Sequence, residues 1–395
     1  MKNVIFISPN FPVNYWQFCH ELRCDGVNVL GIGDQPYDEL RFELKSSLTE
    51  YYKVSSLEDY DQVYRAVAFF IFKYGRIDFL ESNNEYWLEQ DAHLRSDFNI
   101  AGGFRVEDVP RIKYKSGMKE YYRRAGIPTA RFHMVGDAAG CRAFIKEVGW
   151  PVIVKPDNGV GAVATYKLEN EEQLDAFLSA RDGRFPYIME EFIDGQINSY
   201  DAIIDSRGEP LFETGNITGI AIMDIVNNRD NSLYHILKEL PEDTRAFGRA
   251  AVKSFGVKSR FVHFEFFRLT RDQHIGKKGQ LVALEVNMRP AGGYTPDMMN
   301  FAHSTDVYKI YADMVCFDER RLPTSPEQFY CVYASRKDGH DYAHTHEEIM
   351  ERYGADMVMQ EEMPQITWPQ MGRYMYTAKL KTLDDAQAFV DFVQG

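Results

Sequence analysis

Short apolar runs alternate with amphipathic stretches over the first hundred residues. Residues 4–8 read as a buried strand, 27–32 as a second and 77–80 as a third. Between them lie a helical stretch through Cys19, Leu22 and Arg23, and then Val63, Val67, Phe70, Ile71 and Tyr74 at helical spacing. Strands separated by amphipathic helices predict a parallel sheet with helices on its faces, a doubly wound α/β unit.

The rhythm then changes. A helix over 111–125 is stopped by Gly126, with Pro128 just beyond. The pattern next predicts a strand over 131–134, a helix over 138–148, strands over 151–155 and 162–168, a helix over 171–181 and a strand over 187–191, a small α+β unit of its own. Strands dominate from 197 to 287, around a helix over 243–255. The last seventy residues carry strands over 330–334 and 372–380 and helices over 346–353 and 384–393. The expected division is an α/β domain over 1–107, a larger domain over 108–320 with a subdomain over 128–192, and an α+β segment over 321–395.

Composition narrows the possible functions. In 395 residues, 45 Lys+Arg against 59 Asp+Glu leave a formal charge of −14, the wrong sign for a broad nucleic-acid surface. No run approaches the roughly 20 apolar residues that cross a bilayer, and the N-terminal run is too short for a signal peptide. Five scattered cysteines without a C-x-x-C pair fit reduced thiols in a cytoplasm. Neither a broad nucleic-acid surface nor a membrane span is therefore expected.

Charge is uneven along the chain. Between Arg105 and Lys155, eleven Lys/Arg face five Asp/Glu. Lys155 ends an apolar strand and precedes Pro156, so a buried ammonium there needs an anionic partner, for which phosphate is the natural candidate. Gly159 and Gly161 follow, a loop whose backbone N–H groups can turn toward an anion. Neither common nucleotide motif is present: Gly31-Ile32-Gly33 has no third glycine, and there is no P-loop. His340, His344 and His346 read as a polar loop before a helix rather than a metal cluster.

Leu284-Glu285-Val286-Asn287-Met288-Arg289-Pro290 carries the most chemistry. Strand alternation puts Glu285, Asn287 and Arg289 on one face and Leu284, Val286 and Met288 on the other. An earlier run embeds Glu265 among aromatics, and the polar connection between the runs predicts a hairpin with Glu265 beside Glu285. Two carboxylates and an amide facing one point call for a divalent cation, and Mg2+ fits best because it binds a few protein oxygens together with phosphates.

In this order the motifs resemble the ATP-grasp superfamily, in its carboxylate–amine ligase and carbamoyl-phosphate-synthase-like branch, over about residues 1–320. Lys115 precedes Gly126-Ile127-Pro128-Thr129, Lys155 ends a P-x-x-x-K-P strand, and Met189-Glu190-Glu191-Phe192-Ile193-Asp194-Gly195 is similar to the hinge that holds adenine. The resemblance implies a preATP-grasp doubly wound α/β domain followed by an ATP-grasp fold with a mobile lid subdomain. It also implies ATP held by Lys115, Lys155, Gly159, Gly161, Glu190, Glu191, Phe192 and Ile193. Mg2+, or Mn2+ in its place, would sit on Glu265, Glu285 and Asn287, with Arg289 and Lys155 acting on the transferring phosphoryl group. Tyr114 and Ile197 stand where the family usually has acids.

The implied reaction is phosphorylation of a small carboxylate to an acyl phosphate, which an amine then attacks. Glu85, Gly292 and Gly293 are the expected substrate-side residues, and a homodimer is a family-level expectation. Two other readings stay open here: an ATP-binding regulatory or structural protein with little catalysis, and carboxyphosphate chemistry of the biotin-carboxylase or carbamoyl-phosphate type.

Overall fold

The computed structural model describes residues 1–159, 164–219 and 230–395. Strands β1 (Asn3–Ile7), β2 (Asn28–Gly33), β3 (Glu50–Lys53) and β4 (Phe79–Glu81) form a parallel sheet in the order β3-β2-β1-β4. Every residue of β1 is buried because its two faces enter different cores. Val4 and Phe6 join Phe18 and Val29, whereas Ile5 and Ile7 join Leu30, Val63 and Phe70. Cover on both faces is why this strand reads as one apolar run. The edge strand β3, with its polar sequence Glu-Tyr-Tyr-Lys, gives no such signal. The Gly31–Gly33 pair lies inside β2, where a Cβ at Gly33 would meet the Tyr51 hydroxyl at 2.5 Å. These glycines allow a side chain from β3 to lie across the strand.

A second sheet, antiparallel, has the order β5-β8-β6-β7, from β5 (Phe132–Met134), β6 (Val152–Pro156), β7 (Tyr166–Leu168) and β8 (Tyr187–Glu191). Helices Ala138–Val148 and Glu171–Ala180 cover it, packing Phe144, Leu174 and Phe177 on Val152, Val154 and Met189. Of the strand expected over 162–168, β7 supplies 166–168. Residues 160–163, and with them Gly161, lie outside the described residues.

The largest sheet has nine strands among the described residues: β9 (Gly195–Ile204), β10 (Pro210–Thr214), β11 (Asn216–Thr218), β12 (Leu233–Ile236), β13 (Arg260–Leu269), β14 (Leu281–Asn287), β15 (Tyr330–Arg336), β16 (Met357–Glu362) and β17 (Tyr374–Leu380). Its order is β14-β13-β9-β11-β12-β15-β17-β16, with β10 paired to β9 at Asp201–Ile204, beyond the short β9–β11 pairing. Strands of the 321–395 segment thus extend the sheet begun at residue 195, through the pairing of β12 with β15.

Two helices absent from the pattern reading, Thr295–His303 and Val307–Phe317, follow the β13–β14 hairpin. The second packs on the helix Trp16–Cys24, with Phe18 edge-on to Tyr308 at 4.7 Å and to Tyr311 at 4.9 Å between ring centres. The same core takes in Phe79 of β4 and Phe261 of β13. Among the described residues no helix is long and apolar enough to cross a membrane.

Candidate active site

A cleft of about 570 Å3 lies between the β5–β8 sheet and the β13–β14 hairpin. Its lining is of two kinds. Phe192, Ile193, Ile197, Phe267 and Leu284 supply apolar surface, while Lys115, Lys119, Lys155, Glu190, Glu265, Glu285, Asn287 and Arg289 supply charge and amide oxygen. A flat apolar group joined to a polyanion has the matching chemistry.

Each charged group is set by its element. Lys155 is the penultimate residue of β6 and Glu190 lies on neighbouring β8, with their ammonium and carboxylate 2.6 Å apart. Lys115 opens the helix Lys115–Arg124, whose first turn is tied down by Asp157. The Lys115 N–H donates to the Asp157 carbonyl at 2.8 Å, and the Ser116 N–H to an Asp157 carboxylate oxygen at 2.8 Å. The loop after Lys155 therefore positions the first lysine as well. Lys119 follows one turn later on the same helix face and pairs with the other oxygen of Glu190.

Glu190 is thus one carboxylate between two buried ammonium groups. Burial alone would raise its carboxyl, but Lys119 and Lys155 outweigh that and hold it at about 2. Burial pulls the Lys155 ammonium down, yet Glu190, Glu285 and Glu265 outweigh it and the group is raised. At Lys119 burial prevails and the group is lowered.

The expected hairpin is present, with Glu265 and Glu285 as direct cross-strand partners and His263 opposite Asn287. One expectation is corrected. Leu284 lines the cleft instead of facing away, because a bulge puts an extra residue into β14 between the partners of Glu265 and Phe266. Val286 and Met288 are buried on the far face as expected.

The oxygen donors are already countered by cations. Glu285 lies 3.0 Å from the Lys115 ammonium and Glu265 lies 3.4 Å from His263 Nε2, while His263 Nδ1 lies 2.7 Å from Asp201. Burial would raise the Glu265 carboxyl, but His263, Arg289 and Lys155 hold it below its ordinary value. Among the described residues no three His, Cys, Asp or Glu side chains converge as a complete metal cage. Two carboxylates and one amide fit an ion that takes its remaining oxygens from a bound phosphate chain, as Mg2+ does.

The other expected residues fall as follows. Gly159 lines the cleft and accepts from the Lys115 ammonium through its carbonyl at 2.8 Å, so its oxygen rather than its N–H faces that lysine. Glu191 lines the cleft, but its carboxylate is held by Arg131 through three hydrogen bonds of 2.7 to 2.9 Å. Arg289 donates to the Pro290 carbonyl at 2.7 Å, and its Nε is 4.0 Å from Glu85. Glu85 is buried, its backbone carbonyl accepts from Lys113 at 2.6 Å, and its Oε2 has no protein donor. Gly292 lines the cleft. Gly293 is not among the lining residues, because it packs under Met371 and presents its carbonyl to Asn14. His344 stacks on Phe392 and His346 meets the Tyr376 hydroxyl, and among the described residues these histidines are not part of a metal-ligating group.

Sequence reading missed Lys119 and His263. The signals were available: Lys119 is four residues after Lys115 on a helix, and His263 is two before Glu265 on a strand.

Comparison with known proteins gives a consistent neighbourhood. No protein-family model matches the chain. It is similar to the L-arginine-specific L-amino acid ligase of Bacillus subtilis, 24% identical over 331 residues that cover 80% of this chain and 75% of that protein. The crystal structure of L-amino acid ligase from Bacillus licheniformis is similar at a TM-score of 0.72 and 15% identity, covering 99% of this chain and 96% of that one. The biotin carboxylase domain dimer of Hydrogenobacter thermophilus 2-oxoglutarate carboxylase, in complex with MgADP, ADP and bicarbonate, is similar at a TM-score of 0.67 and 15% identity, covering 98% of this chain and 87% of that one.

Proposed function

We propose that this chain, which has the ATP-grasp fold and whose homologues and structural neighbours are ATP-grasp carboxylate–amine ligases, phosphorylates a small carboxylate with ATP and joins the resulting acyl phosphate to an amine. The observation that carries the reading is the convergence of Lys115, Lys155, Glu265, Glu285, Asn287 and Arg289 on one cleft.

Lys115, Lys119 and Lys155 would hold the phosphate oxygens. In exchange they would give up Glu285 and Glu190, which pair with them in this structure. Glu265, Glu285 and Asn287 would hold Mg2+. When bound, the ion would offset the negative charge that an incoming carboxylate must approach. Arg289 would face the carboxylate and the transferring phosphoryl group. The β5–β8 subdomain, carrying Lys155 and Gly159, would keep water from the acyl phosphate.

Glu85 supports an amino acid as the carboxylate substrate. Its buried, unpartnered Oε2 sits beside Arg289, so a zwitterion would lay its carboxylate on Arg289 and its ammonium on Glu85. The test is ADP release from Mg-ATP with pools of amino acids and of other carboxylates, with and without amines. Stimulation by an amino acid together with an amine is expected. Tight Mg-ATP binding with no stimulated release would instead favour the binding-protein reading.

A further inference from the structure

We infer that Arg260 is a positioning residue that sets Arg289, by locking the end of β14 to the end of β4. The role rests on the ligase reading for its purpose but not for its geometry.

Arg260 opens β13 and is completely buried, which for a guanidinium is tolerable only with close partners. Its partners come from two other elements. Nη2 is 2.9 Å from Glu81 Oε2, at the last position of β4. The same nitrogen at 2.8 Å and Nε at 3.1 Å both donate to the carbonyl of Met288. The guanidinium also lies over the Phe104 ring, 4.9 Å from its centre.

Met288 stands between Asn287 and Arg289, immediately past the last residue of β14. There the sheet no longer fixes the backbone, and two guanidinium donors on one carbonyl take over. Glu81 and Glu85 run on from β4, and Glu85 approaches Arg289 at 4.0 Å. Two links therefore join the same two segments: Glu81–Arg260–Met288 beneath the cleft, and Glu85–Arg289 at its wall. Glu81 is further braced by Arg95 at 3.6 Å, whose other bonds go to the Phe104 and Leu80 carbonyls and not to Met288. Lysine at 260 would keep the charge but lose the planar fork that serves Glu81 and Met288 together.

The test is hydrogen–deuterium exchange in the full chain, comparing Arg260→Lys with Arg95→Lys, alongside Mg-ADP affinity by calorimetry. Arg260→Lys is expected to speed exchange across 289–293 about tenfold while leaving the Mg-ADP Kd within twofold, and Arg95→Lys is expected to leave that segment unchanged. Equal acceleration in both variants, or none in Arg260→Lys, overturns the role. Should Arg260→Lys not fold, Glu81→Gln removes the anchor while keeping its shape, and the same comparison applies. ADP release with pooled amino acids separates this inference from the ligase reading. A tenfold loss in Arg260→Lys at unchanged Mg-ADP affinity supports the positioning role. A wild-type chain with no stimulated release defeats the ligase reading, and the exchange result then decides the role of Arg260 by itself.

Discussion

Glu265 and Glu285 face each other directly across β13 and β14, two carboxylates in a position where like charges oppose pairing. His263 and Lys115 relieve the repulsion in this structure, but neither spans both carboxylates. An ion shared by both would do so, and binding to the folded chain alone would stabilise it. Mn2+ added with ADP should therefore bind with a broadened electron paramagnetic resonance signal and raise Tm. Glu285→Gln or Glu265→Gln should weaken that binding by roughly 10–100-fold, on the scale of losing one supporting ligand. Equal Mn2+ affinity in both variants would remove these residues from the metal assignment.

Lys155 and Lys119 each pair with a different oxygen of Glu190, and both ammonium groups line the cleft. Lys155→Ala and Glu285→Ala should each lower turnover by about 10²-fold or more, the scale of one transition-state electrostatic contact. Circular dichroism and Tm should show a retained fold. Near wild-type turnover in both variants would separate the cleft from the chemistry.

Glu190 links the site to acid stability. Its carboxyl is held at about 2 in the folded chain, below the ordinary value of 4.5. A depressed carboxylate stabilises fully above the unfolded value, and that contribution is lost as pH falls from about 4.5 toward 2. Replacing it with Gln leaves two ammonium groups in a buried site, a loss on the order of 3–5 kcal/mol at neutral pH. Urea unfolding of the wild type and Glu190→Gln at pH 7 and pH 3 should show the gap between them narrowing in acid. ATP should restore part of the loss at pH 7, because phosphate oxygens would take the place of the carboxylate. A gap that is unchanged with pH would contradict this account of Glu190.

The readability of this chain follows its physics. The β1 run, the Lys155 strand and the Glu265–Glu285 hairpin were legible because each is a strong local pattern: continuous apolar burial, a cation ending an apolar strand, and polar alternation. β3 and β16 were not, because edge strands take their identity from the neighbour they pair with, and their own residues are polar or half-exposed. The bulge that turns Leu284 into the cleft depends on cross-strand register, which alternation along one strand does not encode. Lys119 has no local signal beyond its spacing from Lys115, because its partner Glu190 comes from β8. Arg260 shows the same limit more strongly, since its partners lie 179 and 28 residues away along the chain.

Glu85 offers the sharpest test of substrate class. Burial raises its carboxyl, with Lys113 and Arg289 acting against that rise, so the group sits among cations and still has an oxygen without a donor. If it serves only to hold Lys113, whose ammonium lies 3.5 Å from its Oε1, Glu85→Gln should lower Tm through the loss of that charge pair and leave substrate preference alone. If it receives a substrate ammonium, Glu85→Gln should raise KM for the amino acid about tenfold or more, the scale of a charge-assisted hydrogen bond, with a much smaller change in kcat. The comparison that separates the two is between an amino acid and the same carboxylate lacking its amino group. Wild-type protein should prefer the amino acid, and Glu85→Gln should lose most of that preference. A preference that survives the substitution would place the ammonium elsewhere in the cleft.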